Sequence, residues 1–290
     1  MKTSVKAYAK INLFLDIVSR REDGYHNILS VMQSVTLHDT VTVEYISGQT
    51  TKIEVTCSSD TIPADQSNLG YKAAAKFPYA KGIINVHIKK RIPVSAGLAG
   101  GSADAAAVLL ALNELCGNPM TLDELKDLGA TIGADVPFCI ECGTCLVEGI
   151  GDIVSEFAPM PNYPIVIAKK GEGMSTPGAY RLLDEKFNNF SSYQPHKEQL
   201  SKLTENQSSD IVNYCSEIYN VFEQVVEPLR SDITLIKQTM TDFGAINATM
   251  SGSGTSVFGI FDHYESAELA LLKLKELGAD AHICYPNSSR

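Results

Sequence analysis

The residues best suited to chemistry sit in a run of small side chains, Pro93-Val94-Ser95-Ala96-Gly97-Leu98-Ala99-Gly100-Gly101-Ser102-Ala103, followed by Asp104 and three alanines. A strand, a loop of small residues and an Ala-rich helix together make an anion cradle. Glycine allows φ > 0, so successive N–H groups can turn inward, and phosphate oxygens can approach a backbone without bulky side chains. The helix then aims its positive end and its unpaired N–H groups at the same point. Ser102 offers a hydroxyl to phosphate or to Mg²⁺. The plain alternative is a tight turn before a helix, which three glycines in five positions make less apt. The loop lacks the Lys of the Walker pattern, and the chain has no HRD and DFG pair.

Four further groups could complete such a site. Met250-Ser251-Gly252-Ser253-Gly254 is a second Gly turn, read either as a hairpin or as the opposite wall of the same pocket. Lys10 and Asn12, two apart on a strand, project from one face, with Ile11 and Leu13 toward the core. Asp135, in Gly133-Ala134-Asp135-Val136-Pro137-Phe138, is either a cap or a carboxylate placed to take a proton. Tyr25 and His26, after Asp23-Gly24, are core packing or a platform on which a base stacks.

The elements that must hold these groups are legible in outline. Residues 4–10, 12–18, 40–45 and 52–56 read as strands, and 82–92 alternates before Pro93. Helices are predicted over 68–77, 103–115, from Thr121 onward with a Thr121/Glu124 capping box, over 216–228, over 232–243 with Asp232 as N-cap, and over 266–277. Residues 137–149 and 145–157 read as strand, as do 164–168, 281–285 and parts of 245–261, while 188–210 is polar helix or loop. Strands mixed with helices without a βαβ repeat predict an α+β fold. Ala158-Pro159-Met160-Pro161 suggests a boundary, giving an N-terminal domain at 1–160 and a second domain at 161–290.

Composition narrows the function classes. The 290 residues are 44% hydrophobic and 20% charged, which is ordinary for a globular protein. Twenty-four basic against 34 acidic residues give −10, which disfavours a nucleic-acid partner. No apolar run reaches the ~18 residues of a membrane helix, and MKTSVKAYAK has no secretory pattern, so a cytoplasmic protein without a membrane partner is expected. Cys139, Cys142 and Cys145 begin a C-x2-C-x2-C run, but Gly149 stands where a fourth ligand would fall. On a strand these thiols diverge unless Gly143 turns the chain, so buried free thiols are expected.

Taken together, AKINLFLDI, RREDGYH, IPVSAGLAGGSADAAA, GADVPF and MSGSG resemble, in order, the signatures of the GHMP kinase superfamily. The likeness runs from Ala9 to Phe258, and five ordered motifs are specific where one is not. It implies an α+β two-domain fold, with an N-terminal half like domain 2 of ribosomal protein S5 and a ferredoxin-like C-terminal half. It implies ATP and Mg²⁺, with the phosphates on residues 93–103, and it assigns no metal ligands. Lys10 and Asp135 match the catalytic pair, with Asn12 beside them. Tyr25, His26 and Tyr180 match residues that hold a cytidine base, Thr176 lies beside Tyr180, and Asn68 and Lys90 match positions near the adenosine. The DGYH element implies a small-molecule acceptor bearing a cytidylyl group. Tyr8 stands where the first motif commonly has Pro, and Ser95, Ala96 and Ala99 replace glycines of some members. A non-catalytic nucleotide-binding protein and an RNA-binding module are the competing classes. Lys10 and Asp135 speak against the first, and the acidic charge against the second.

Overall fold

Two very long strands build the frame of the computed structural model, which describes residues 1–191, 193–205 and 211–288. β1 (Lys2–Arg20) and β2 (His26–Ser47) form an antiparallel hairpin around the turn that carries Gly24 and Tyr25. One half of β2 pairs with β4 (Gly82–Lys89), which pairs in parallel with β3 (Lys52–Cys57). The other half pairs with β5 (Thr144–Gly149), which pairs with β6 (Ile153–Glu156). β1 shifts register after Tyr8, Asn12 and Ile17, and such bulges re-aim side chains.

Helices α1 (Leu69–Lys76), α2 (Gly100–Leu115), α3 (Leu122–Ala130) and α4 (Val136–Glu141) belong to the same half, and α2 lies against β1 and β2. α2 is apolar nearly all round and buries Val108, Leu109 and Leu112, as a helix enclosed by neighbours must. A second antiparallel sheet, in the order β11 (Asp280–Cys284), β7 (Ile165–Lys169), β10 (Val257–Phe261), β9 (Ala245–Met250), meets α9 (Ser231–Asp242) and α10 (Tyr264–Glu276). Between them run α5 (Thr176–Lys186), α6 (Lys197–Glu205), α7 (Ile211–Ser216), β8 (Tyr219–Asn220) and α8 (Glu223–Val226). The mixed α+β architecture is the one expected. The two halves of the chain are laced together: β8, from the C-terminal half, joins the first sheet beside β1, and Val35 bridges Pro286. Among the described residues no helix is long and apolar enough to cross a membrane.

Several local expectations are corrected. α2 starts at Gly100, not Ala103, because Ala99 takes φ 56 as its N-cap. Residues 136–141 are helix rather than strand, opened by Pro137 in the first turn, where its missing N–H costs nothing. Residues 216–228 break into the end of α7, β8 and α8 instead of one helix. Asp232 does not cap α9; it lies in the first turn and pairs with Arg230 at 2.8 Å. The three clustered thiols are buried and in no disulfide, as expected, and Cys142 and Cys145 Sγ donate to the carbonyls of Cys139 and Cys142 at 3.4 and 3.3 Å. Of the polar stretch 188–210, α6 is helical, and residues 192 and 206–210 lie outside the described residues.

Candidate active site

A cleft of about 800 Å³ opens where the Gly-rich loop, β1, α5 and the second Gly turn meet. The phosphate-type loop is held from behind by its carbonyls. Leu98 O accepts from Lys10 N–H at 3.2 Å, Ala96 O from Ser256 N–H at 3.2 Å, Gly97 O from Ser251 Oγ at 3.0 Å and Val94 O from Lys169 Nζ at 2.6 Å. With the carbonyls tied backward, the loop's N–H groups are left for a ligand. Gly97 is required here: its φ is 74, and a Cβ would sit 2.0 Å from Ser251 O. Ser95 and Ala99 also take φ 52 and 56, a conformation that costs an L-residue ~1–2 kcal/mol and marks a loop shaped for something other than stability. α2 begins without a side-chain cap, whereas Asn68, Thr121 and Ser175 cap α1, α3 and α5. Its first-turn N–H groups at Gly100, Gly101 and Ser102 therefore stay available to an anion.

Lys10 and Asn12 share a face of β1 at the cleft floor. Lys10 Nζ donates to Asn12 Oδ1 at 2.6 Å, and the same oxygen accepts from Gly252 N–H at 2.9 Å. Asn12 Nδ2 donates to Ser30 Oγ at 2.9 Å, which fixes the amide's orientation. Burial pulls the Lys10 ammonium below its usual range, and the charge of Asp135 offsets part of that. The second Gly turn is itself pinned, because Asn220 Nδ2 donates to Met250 O at 2.6 Å and Gly252 O at 2.9 Å. Asp135 stands at the start of α4 with no side-chain cap bond, so its carboxylate is not consumed by the helix. Lys10 and Asp135 make no ion pair within 4 Å among the described residues; they interact across the cleft through charge alone.

Opposite the loop stand the aromatics. His26 stacks on Tyr180 with centroids 4.7 Å apart, and its Nε2 donates to Asp184 Oδ1 at 2.7 Å. Tyr180 packs edge-on against Phe222 at 5.0 Å, while Tyr25 is 62% exposed at the cleft mouth. A flat ligand would meet Tyr25 and Tyr180, since the inner face of Tyr180 is taken by His26. Thr176 Oγ1 lies 3.0 Å from Ser253 Oγ and joins α5 to the second Gly turn.

At two of the expected ligand contacts the polar groups already have partners within the fold. Asn68 is spent as the α1 cap: its Oδ1 accepts from Gly70 N–H at 2.8 Å and its Nδ2 donates to Pro63 O at 2.7 Å. Ala103 N–H already donates to Ala99 O at 2.9 Å, so it has nothing left for a phosphate. Lys90 reaches the cleft wall, but its ammonium is held by Asp39 and by Asp104 Oδ2, the latter at 2.9 Å. Asp39 also accepts from the N–H groups of Arg91 and Ile92, at 2.5 and 2.9 Å, and so braces the residues leading into the loop. Burial pushes the Asp104 carboxyl up to about 7 against the pull of Lys90. Lys90→Met should leave two buried carboxylates facing each other and cost about 3–5 kcal/mol. Differential scanning calorimetry should show a Tm drop of ~10 °C that shrinks below neutrality as one carboxyl takes a proton; an unchanged Tm would refute the cluster's role. Arg20, Asp184, Phe222 and Asn220 also shape the site, yet each meets partners far away in sequence and carries no local signal.

The described residues contain no group of three His, Cys, Asp or Glu able to hold a metal alone. Ser102 and Asp135, both on the cleft wall, offer hard oxygens, which suits a Mg²⁺ shared with phosphate oxygens rather than caged by protein.

The chain is similar to known proteins over nearly its whole length. Residues 68–143 match the GHMP kinases N terminal domain and residues 196–280 the GHMP kinases C terminal family. A 4-diphosphocytidyl-2-C-methyl-D-erythritol kinase of Clostridium perfringens (strain SM101 / Type A) is 41% identical over 93% of both chains. One from Alkaliphilus metalliredigens (strain QYMF) is 38% identical over 100% of this chain and 98% of its own. A solved 4-(cytidine 5'-diphospho)-2C-methyl-D-erythritol kinase superposes with TM-score 0.79 at 28% identity, covering 98% of this chain and all of that one. A solved L. major mevalonate kinase shares the fold alone, at TM-score 0.75 and 15% identity, over 99% and 97% of the two chains. With motifs, fold and near full-length relatives in agreement, the chain belongs to the GHMP kinase superfamily and, within it, to the 4-diphosphocytidyl-2-C-methyl-D-erythritol kinase family.

Proposed function

We propose that the cleft transfers the γ-phosphoryl group of ATP to the 2-hydroxyl of 4-diphosphocytidyl-2-C-methyl-D-erythritol, giving the 2-phosphate and ADP. The observation that carries this reading is the convergence in one cleft of the N–H-rich loop, the Lys10–Asn12 pair, the Asp135 carboxylate and the Tyr25–His26–Tyr180 aromatics. The triphosphate lies on the loop and the start of α2, where backbone donors neutralise its charge. Asp135 orients the acceptor hydroxyl and takes its proton as transfer proceeds. Lys10, held in place by Asn12, places its ammonium where charge spreads over the transferring group. Ser102 and Asp135 would hold Mg²⁺, which when bound adds charge neutralisation at the phosphates.

The aromatics supply selectivity rather than rate. Tyr25→Ala and Tyr180→Ala should raise KM for the cytidylyl acceptor by ~5–100-fold with kcat nearly kept, since stacking contributes ~1–3 kcal/mol per base. Unchanged KM values would point to an acceptor without a base. The direct test is ADP release with this acceptor beside mevalonate and homoserine. Turnover confined to the cytidylyl alcohol supports the reading, and preference for another alcohol refutes it.

A further inference from the structure

Asp16 is fully buried, lies outside the catalytic machinery, and has no Lys or Arg within 4 Å among the described residues. Burying a lone carboxylate is costly unless several donors satisfy it. Here those donors come from a single stretch about 180 residues away. Asp16 Oδ1 accepts from Tyr193 OH at 2.5 Å, and Oδ2 accepts from His196 N–H at 2.7 Å and His196 Nδ1–H at 3.2 Å. Its own neighbour, Ile17 N–H, completes Oδ1 at 2.8 Å. Tyr219, on β8 beside β1, packs at a tilt on His196 with ring centroids 4.4 Å apart.

The tethered stretch reaches the cleft through its rings. Tyr193 packs on Phe190 at 5.2 Å, and Phe190 packs edge-on against His26 at 5.5 Å. His26 in turn is the ring behind Tyr180. Arg20, four residues after Asp16 on β1, adds a second tie by donating to Asn189 Oδ1 at 2.5 Å.

We propose that Asp16 is a positioning residue for the base-holding wall: through Tyr193 and His196 it presses Phe190 against His26 and so fixes the stacking face of Tyr180. The proposal rests on the acceptor reading above and names the device that supports its selectivity. The donor pattern demands a carboxylate. An asparagine placed there must turn its NH₂ toward either Ile17 N–H or His196 N–H, setting donor against donor whichever way it flips.

The test compares the full-length protein with Asp16→Asn, Tyr193→Phe and the double variant at saturating ATP. Asp16→Asn should raise KM for 4-diphosphocytidyl-2-C-methyl-D-erythritol about tenfold or more, with kcat and KM for ATP within about twofold. Tyr193→Phe should move the same KM by about threefold, and the double variant should match Asp16→Asn alone, since both act through one tether. An unchanged acceptor KM, a parallel loss of kcat and both KM values, or fully additive effects would overturn the proposal. If Asp16→Asn fails to fold, Tyr193→Phe, which loses only a hydroxyl, decides the matter by the same KM split. Hydrogen exchange separates this from the acceptor reading. If the wild-type protein does not turn over the cytidylyl alcohol, that reading falls. The tether then stands if peptides carrying Phe187, Phe190 and His196 exchange about tenfold faster in the variants, and is refuted if their exchange is unchanged.

Discussion

Asp135→Asn should lower kcat by at least ~10²-fold while leaving Tm near its wild-type value. The expectation follows from what the carboxylate does not do. It makes no cap bond to α4, so the isosteric amide removes a proton acceptor without removing a structural contact. A positioned base contributes ~10²–10⁴-fold, or about 3–5 kcal/mol of barrier. Steady-state kinetics with both substrates, beside a thermal melt, checks this. A variant that keeps most of its kcat would show that the acceptor proton leaves by another route.

Lys10→Met should produce a loss of similar size, again without a loss of stability. Burial already disfavours the Lys10 ammonium, and an apolar chain of similar length avoids that desolvation. Asn12 keeps its bonds to Gly252 N–H and Ser30 Oγ, so the second Gly turn stays docked. Turnover should fall ~10²-fold or more while Tm holds or rises. A variant that melts earlier and keeps its kcat would make Lys10 a structural residue. Together the two substitutions divide the labour: Asp135 acts on the acceptor proton, and Lys10 on the charge of the group in flight.

Much of this site was legible because its parts are local. The small residues from Pro93 to Ser102, the two-residue spacing of Lys10 and Asn12, and the Ala-rich run of α2 are each contiguous. The periods of strand and helix convert such spacing directly into direction. The α+β class followed from the same periods. The errors fell where a distant contact overrode local preference. Phe138, Cys139 and Ile140 favour strands by type, yet Pro137 and burial made a helix of them. The apolar run around Val221 and Phe222 lost its helix to a two-residue pairing of β8 with β1. Asn68 and Lys90, expected near a nucleotide, also carry structural duties, the first as a helix cap and the second as partner of two buried carboxylates. Asp16, Asp184 and Asn220 could not be singled out at all, because their meaning lies in partners on other elements.

Ala99 illustrates the physical limit. A left-handed residue at the head of a helix is ordinarily Gly or Asn, and nothing about an alanine announces φ 56. The strain is held by Ser251, Ser256 and Lys10, which grip the three carbonyls just before it, at Gly97, Ala96 and Leu98. Sequence proximity displays the cradle, and tertiary contacts supply the force that bends it.

The most direct test is a crystal structure with a non-hydrolysable ATP analogue and the diphosphocytidyl alcohol bound together. The account predicts phosphate oxygens within hydrogen-bond distance of the backbone N–H groups between Gly97 and Ser102, and the terminal phosphate between Lys10 and an acceptor hydroxyl that touches Asp135. A triphosphate seated elsewhere, or an acceptor hydroxyl remote from Asp135, would contradict it.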